Sequence, residues 1–234
     1  HIACTKSCCN NLSLEAKAKR KVVCLGLIDH NNKKRYLIEA SPDLSTQLDE
    51  LDQNFNYESE ELVDAIFLTH AHIGHYSGLM YLGKEANDAK EIPVYAMPRM
   101  KAFIESNGPW NQLVKRKNIA IQELKNDSVI QLSPQLSITP FTVPHRDEYS
   151  ETVGYLIDGP AKKALFIPDI DKWQKWERSI VEEIKKVDYA FLDATFYSGE
   201  EIGHRDISQI PHPFVIESMD LFSELSESEK AKIH

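Results

Sequence analysis

Short apolar runs of strand length, alternating with segments of helical spacing, constrain this chain more than any other feature. Residues 21–28 and 35–40 are apolar and strand-like, and the polar stretch Asp29-His30-Asn31-Asn32-Lys33-Lys34 between them reads as a hairpin turn. Ser41-Pro42-Asp43 then opens a helix, because proline suits a first helical turn and Leu44, Leu48 and Leu51 recur at helical spacing. Residues 65–69 form another short strand, and Ser77-Gly78-Leu79 begins a second helix. A strand over 93–96 and a helix over 98–106 follow, the helix closed by Asn107-Gly108-Pro109. Strands over 121–124, 128–132 and 136–143 come next, and those over 153–157 and 164–167 pair across Asp158-Gly159-Pro160. An amphipathic helix over 176–186, a strand over 189–192 and a helix over 213–225 complete the pattern. Such alternation predicts an α/β fold. No internal repeat interrupts it, so a single domain over residues 1–234 is expected, with 42% hydrophobic residues to build its core.

Charge and composition narrow the function. The net charge of -9 argues against general nucleic-acid binding, which needs clustered Lys and Arg. No apolar run approaches the roughly 20 residues that span a bilayer, and the first residues carry no apolar signal region, so a soluble cytoplasmic protein is expected, with a small molecule as its substrate. Four cysteines in 234 residues do not make a disulfide scaffold. Three of them, Cys4, Cys8 and Cys9, crowd into six residues, which suits a metal better than cross-links; Cys24 sits in a strand and reads as core.

The strand over 65–69 runs directly into His70-Ala71-His72-Ile73-Gly74-His75. A loop lets alternating residues turn toward one point, and imidazole is a common ligand of zinc and iron. The remaining histidines, of nine in all, are dispersed, so chance explains this cluster poorly.

The segment from Phe67 through Thr69-His70-Ala71-His72-Ile73-Gly74-His75 to Leu79 resembles the His-x-His-x-Asp-His signature of the metallo-β-lactamase superfamily. The resemblance continues in order with Pro144-His145 at a strand end and Ile167-Pro168-Asp169 after the next hairpin. It implies a four-layer αββα sandwich of two mixed sheets with outer helices and metals at one edge. A first strand before His1 and a last one starting at about His234 would be missing. It further implies that His70, His72 and His145 form a first metal site, with Asp169 bridging to a second to which His75 belongs. Gly74 departs from the pattern, standing where the family has an aspartate ligand.

Within the superfamily the chain resembles the pyrroloquinoline quinone biosynthesis B and phosphonate-pathway cyclic phosphodiesterase groups. There, cysteines near the N-terminus and a distant histidine hold a structural zinc. The corresponding candidates are Cys4, Cys8 and Cys9 with His204, preferred over His212; either histidine could instead line the active-site mouth, with Asp193 orienting a ligand histidine. The expected activity is metal-dependent hydrolysis of an ester or phosphodiester, with zinc, or else iron or manganese, at the histidines, and with Asp169 and His75 in the reaction. Two other readings are an iron-dependent oxygenase and a metal-binding scaffold without catalysis. Asp147 and Glu148 follow His145 and read as a solvated acidic turn. The loops 107–117 and 196–213 are expected to grip substrate, while Trp110 and Tyr197 read as cover for the core.

Overall fold

A computed structural model describes residues 5–59, 61–202 and 210–234. Two short helices, α1 (Ser7–Asn10) and α2 (Leu14–Ala18), precede the hairpin of β1 (Leu25–Asp29) and β2 (Lys34–Ile38). After α3 (Leu44–Asn54), the strands β3 (Ala65–Phe67), β4 (Ile92–Ala96) and β5 (Ile119–Glu123) complete a five-stranded sheet in the order β1-β2-β3-β4-β5. Only the β1/β2 pair is antiparallel. Between these strands lie α4 (Ile73–Tyr76), a 3-10 turn over Ser77–Leu82, α5 (Pro98–Ser106) and α6 (Trp110–Lys115).

The second sheet is ordered β10-β9-β8-β7-β6, from β6 (Ile130–Ser133), β7 (Leu136–Thr142), β8 (Val153–Asp158), β9 (Lys163–Ile167) and β10 (Tyr189–Leu192). Its strands run antiparallel except for the β9/β10 pair. The helices α7 (Ile180–Lys185), α8 (Val215–Leu221) and α9 (Glu227–Lys230) belong to this half, and Ile233 bridges to Ala190 in parallel beside β10.

Alternation along the strands builds the layers. Tyr36 and Ile38 on β2, with Ala65 and Phe67 on β3, pack against Ile138, Val153, Tyr155 and Phe166 of the other sheet. The intervening Leu37 and Ile66 turn outward to Leu44, Leu79 and Met100 on the covering helices. On the far side Leu165 and Ile167 meet Ile180, Ile184 and Phe222. Strands covered on both faces have no polar side, which is why β3 and the Tyr36-Leu37-Ile38 part of β2 are apolar throughout. The fold is therefore the four-layer αββα sandwich.

Several expected boundaries shift. The helix expected over 176–186 is α7, shorter because the chain at Trp173–Lys175 makes a 3-10 turn and α7 starts only where Ser179 caps it through Glu182 N. The helix expected from Ser77 begins earlier as α4, and the loop expected over 107–117 contains α6, which buries Leu113 and sets Trp110 against Tyr76 with ring centroids 4.8 Å apart. Among the described residues no helix is long and apolar enough to cross a membrane.

One glycine is required by a close approach. A Cβ on Gly78 would stand 2.0 Å from Ser41 O, and Gly78 N donates to Ala40 O at 2.8 Å, so the turn after β2 rests directly on the 3-10 segment. Gly78→Ala is expected to cost roughly 3 kcal/mol, the upper end for overpacking a tight site. Denaturant unfolding would measure it; a loss well under 1 kcal/mol would mean that the contact yields freely.

Candidate metal centre and proton-handling dyad

Strand ends converge at one edge of the sandwich. Glu39 follows β2, His70 follows β3, His145 follows β7, Asp169 follows β9 and Asp193 follows β10. Backbone bonds tie these ends together: Leu68 N donates to Tyr95 O, Val153 N to Thr69 O and Asp171 N to Pro144 O. His72 is the N-cap residue of α4 and has extended backbone angles, while His75 lies in the following turn. This puts His70, His72 and His75 on one side of the loop.

His70, His72, His145 and Asp169 each offer one possible ligand atom, and these atoms all lie within 4.8 Å of one another. His72 Nδ1 is 2.9 Å from His70 Nε2 and 3.2 Å from His145 Nε2. Asp169 Oδ2 is 3.6 Å from both His70 Nε2 and His145 Nε2. The edges of a tetrahedron around an ion with bonds of 2.0–2.1 Å are about 3.4 Å, so the spacing fits zinc-type coordination.

The hydrogen bonds around the group show which nitrogens are bare. The Thr69 hydroxyl donates to Glu39 Oε1, so at 2.9 Å it accepts from His70 Nδ1–H, and His70 Nε2 faces inward without a proton. His72 Nε2 stands 3.1 Å from Glu148 Oε2 and donates to it, leaving Nδ1 bare as well. Two lone pairs 2.9 Å apart, with a carboxylate oxygen nearby, repel each other unless a cation sits among them. Proton occupancy is disfavoured there. Burial and the neighbouring His75 hold His70 well below its usual range, and burial, aided by His212 and His72, pushes His145 down to about 4. Neutral imidazoles of this kind are metal ligands, and the donor set fits a divalent ion.

His75 is held differently. Its Nδ1 lies 3.3 Å from Glu39 Oε2, an ion-pair contact without the alignment of a hydrogen bond, and its Nε2 lies 3.5 Å from Asp169 Oδ1. Burial works against its charge, but Glu39 and Asp169 outweigh that and raise the imidazole to about 10. Burial also opposes charge on Asp169, yet His75, His70 and His212 keep its carboxyl well below the usual range. At Gly74 no carboxylate is present, although a Cβ there would meet only Val22 Cγ1 at 3.7 Å.

Asp169, Asp193 and His212 form a second close group. Asp193 is nearly buried and its oxygens are already saturated. Oδ1 accepts from Thr195 N at 3.0 Å and Thr195 Oγ1 at 2.7 Å, and Oδ2 accepts from Ile170 N at 3.1 Å and His212 Nδ1 at 2.6 Å. No lone pair remains for an ion. Asp193 instead fixes His212 with Nδ1 protonated. The His212 ring lies 5.2 Å from that of His145, and burial, which disfavours its charge, is outweighed by Asp193 and Asp169, so its pKa is raised.

His70, His72, His145 and Asp169 are thus brought together as the family resemblance implied, with His75 beside Asp169. His212 takes the place at the mouth that was open to it, oriented by Asp193. Cys4 and His204 lie outside the described residues, Cys8 is described in its backbone alone and Cys9 lies in α1, so no cysteine site is assembled among the described residues. Glu39 and Thr69 were missed, although a carboxylate ending the apolar run Tyr36-Leu37-Ile38 is a signal in itself. Glu148 is solvent-exposed, as a solvated acidic turn would be, and also contacts His72. Beside the histidines opens a cleft of about 610 Å³, bordered by His75, Asp169, His212, Cys24, Phe166 and Phe191.

The model of the "Beta-lactamase superfamily domain" family matches residues 34–234. Among solved structures, zinc-bound PqqB from Methylobacterium extorquens is similar with a TM-score of 0.72 at 20% identity, over 93% of this chain and 79% of that one. A diphosphatase of the PhnP family is similar with a TM-score of 0.67 at 19% identity, over 96% and 76%. Ribonuclease J 1 of Streptococcus pyogenes serotype M3 is 30% identical over 132 residues, which are 55% of this chain and 20% of the relative. The chain therefore spans about a fifth of that relative's length.

Proposed function

Because this chain belongs to the metallo-β-lactamase superfamily, we propose that it is a metal-dependent hydrolase of phosphoester bonds in a small molecule, with zinc or manganese held by His70, His72, His145 and Asp169. The observation that carries the reading is the convergence of three histidines and one aspartate whose ligand atoms lie within 4.8 Å of one another, beside a histidine held by Asp193. A divalent ion held there supplies Lewis acidity and an activated water near neutral pH.

The chain's own residues do the rest. Asp193 accepts from His212 Nδ1, so His212 Nε2 is the atom left for the cleft, placed to pass a proton to the leaving group. Glu39 and Asp169 hold His75 between them as a fixed positive charge beside the group being attacked. Arg146, next to His145, has its side chain 55% exposed and pairs with Glu148 Oε1 at 3.7 Å, a cation near the histidines of an acidic protein. Its charge bears on both His145 and His212. That favours an anionic substrate, hence a phosphoester over a neutral ester. The names of two similar proteins, a diphosphatase and a ribonuclease, both point to hydrolysis at phosphorus, and the second to a phosphoester.

The test is hydrolysis of bis-p-nitrophenyl phosphate by protein loaded with zinc or manganese, with and without chelator. Turnover that disappears on chelation and returns with the metal is expected. No turnover with either metal, or oxygen uptake with ferrous iron in its place, would overturn the proposal in favour of the oxygenase reading or of a scaffold.

A further inference from the structure

The loop after β7 does more than carry His145. Ser150, only 2% exposed, accepts from Ala71 N at 2.8 Å, the backbone amide between His70 and His72. Glu148, two residues earlier, reaches the outer nitrogen of the His72 ring at 3.1 Å. One loop therefore grips the first histidine pair by its backbone and by one of its rings.

The loop is itself braced. Arg99 on α5 donates to Asp147 O at 2.7 Å, Thr152 donates to Asp147 Oδ1 at 2.8 Å, and the Glu151 carboxylate accepts from Arg99 N, at 3.0 Å through Oε2. These three bonds brace the loop on both sides of Glu148. His72 needs that support. Its ring is 23% exposed, whereas His70 is packed in the interior at 1%. Thr69 orients His70 from within the core, and the ring of His72 has only Glu148 on its outer nitrogen among the described residues.

We infer that Glu148 is a positioning residue of the metal centre: it accepts a hydrogen bond from His72 Nε2–H and holds the ring so that Nδ1 faces His70, His145 and Asp169. Outer partners of ligand histidines set ring orientation and basicity, and losing one typically lowers metal affinity by roughly 10- to 100-fold. The inference rests on the metal reading of the site. Arg99 extends it to the surface of α5, since its guanidinium fixes the backbone that delivers Glu148.

The experiment is a competition titration of zinc against a chelator on the full chain, for the wild type, Glu148→Ala and Glu148→Gln. Glu148→Ala is expected to weaken zinc binding by roughly 10- to 100-fold. Glu148→Gln keeps an acceptor oxygen and is expected to recover most of the loss. The His72 Nε2 proton should be visible by NMR in the metal-free wild type and in Glu148→Gln, and lost to exchange in Glu148→Ala. Melting temperature should stay put, because the carboxylate is 47% exposed and its contact is a surface one. Wild-type affinity in Glu148→Ala, or an equal loss in both variants, would overturn the inference, the second outcome because it would mark a charge effect without orientation. Absence of zinc binding in the wild type would sink the metal reading itself, which separates the two failures.

Discussion

His72→Ala is expected to strip the centre of tightly bound divalent metal while the protein stays folded. His72 Nδ1 is the hub of the donor group, 2.9 Å from one histidine nitrogen and 3.2 Å from another. A four-ligand zinc site is worth about 10–16 kcal/mol, so one ligand in four contributes about 3 kcal/mol and its loss lowers affinity by at least roughly 100-fold. Folding should survive because the ring is partly exposed and makes no cap bond to α4, whose first turn is held by backbone. Metal content of the purified variant, measured by mass spectrometry beside the wild type, decides the matter, with activity expected to fall in step. A variant that keeps its full metal complement would mean that these four residues are not the ligands.

His212→Ala should be read through the leaving group. If His212 Nε2 delivers a proton, removing it costs roughly 10²- to 10⁴-fold in kcat for substrates that expel a basic alkoxide. For p-nitrophenolate, which leaves without help, the loss should be small. Binding of the metal should be untouched, since Asp193 and not an ion occupies the His212 Nδ1 side. The pH profile adds a sign. The pKa of His212 is raised, and the protonated form is the donor, so wild-type kcat on the alkoxide substrate is expected to fall as pH rises through that value. The variant should lose this alkaline limb. An equal drop on both substrates, with the limb retained, would remove His212 from proton transfer and leave it a structural neighbour.

Much of this was legible in the chain itself. The apolar cores of β2, β3, β8 and β9 are long enough to mark strands covered on both faces, and the loops between them locate the outer helices. The element ends were less legible. α7 starts late because Ser179 offers a cap and the residues before it satisfy a 3-10 turn, and α6 was hidden by the Asn-Gly-Pro signal just before it. A turn signal says where one helix stops, and another can begin at the next residue.

The candidate site divides in the same way. His70, His72 and His75 stand in the sequence as a group, because one loop at one strand end carries them all, and local spacing alone brings them to one side. His145 and Asp169 could be attached to them because each closes an apolar strand. The partners that hold these rings are another matter. Glu39 meets Thr69 across 30 positions, Glu148 meets His72 across 76, and Asp193 meets His212 across 19. No periodicity links such pairs. They are neighbours only because strands of two sheets end at the same edge of the sandwich, where the ends of the hydrogen-bonded ladders leave room for side chains to turn toward each other. The histidine cluster at 70–75 was thus written in the sequence by local spacing, whereas the orientation and electrostatic surroundings of its rings were decided by the tertiary structure, through burial and through carboxylates delivered from remote strands.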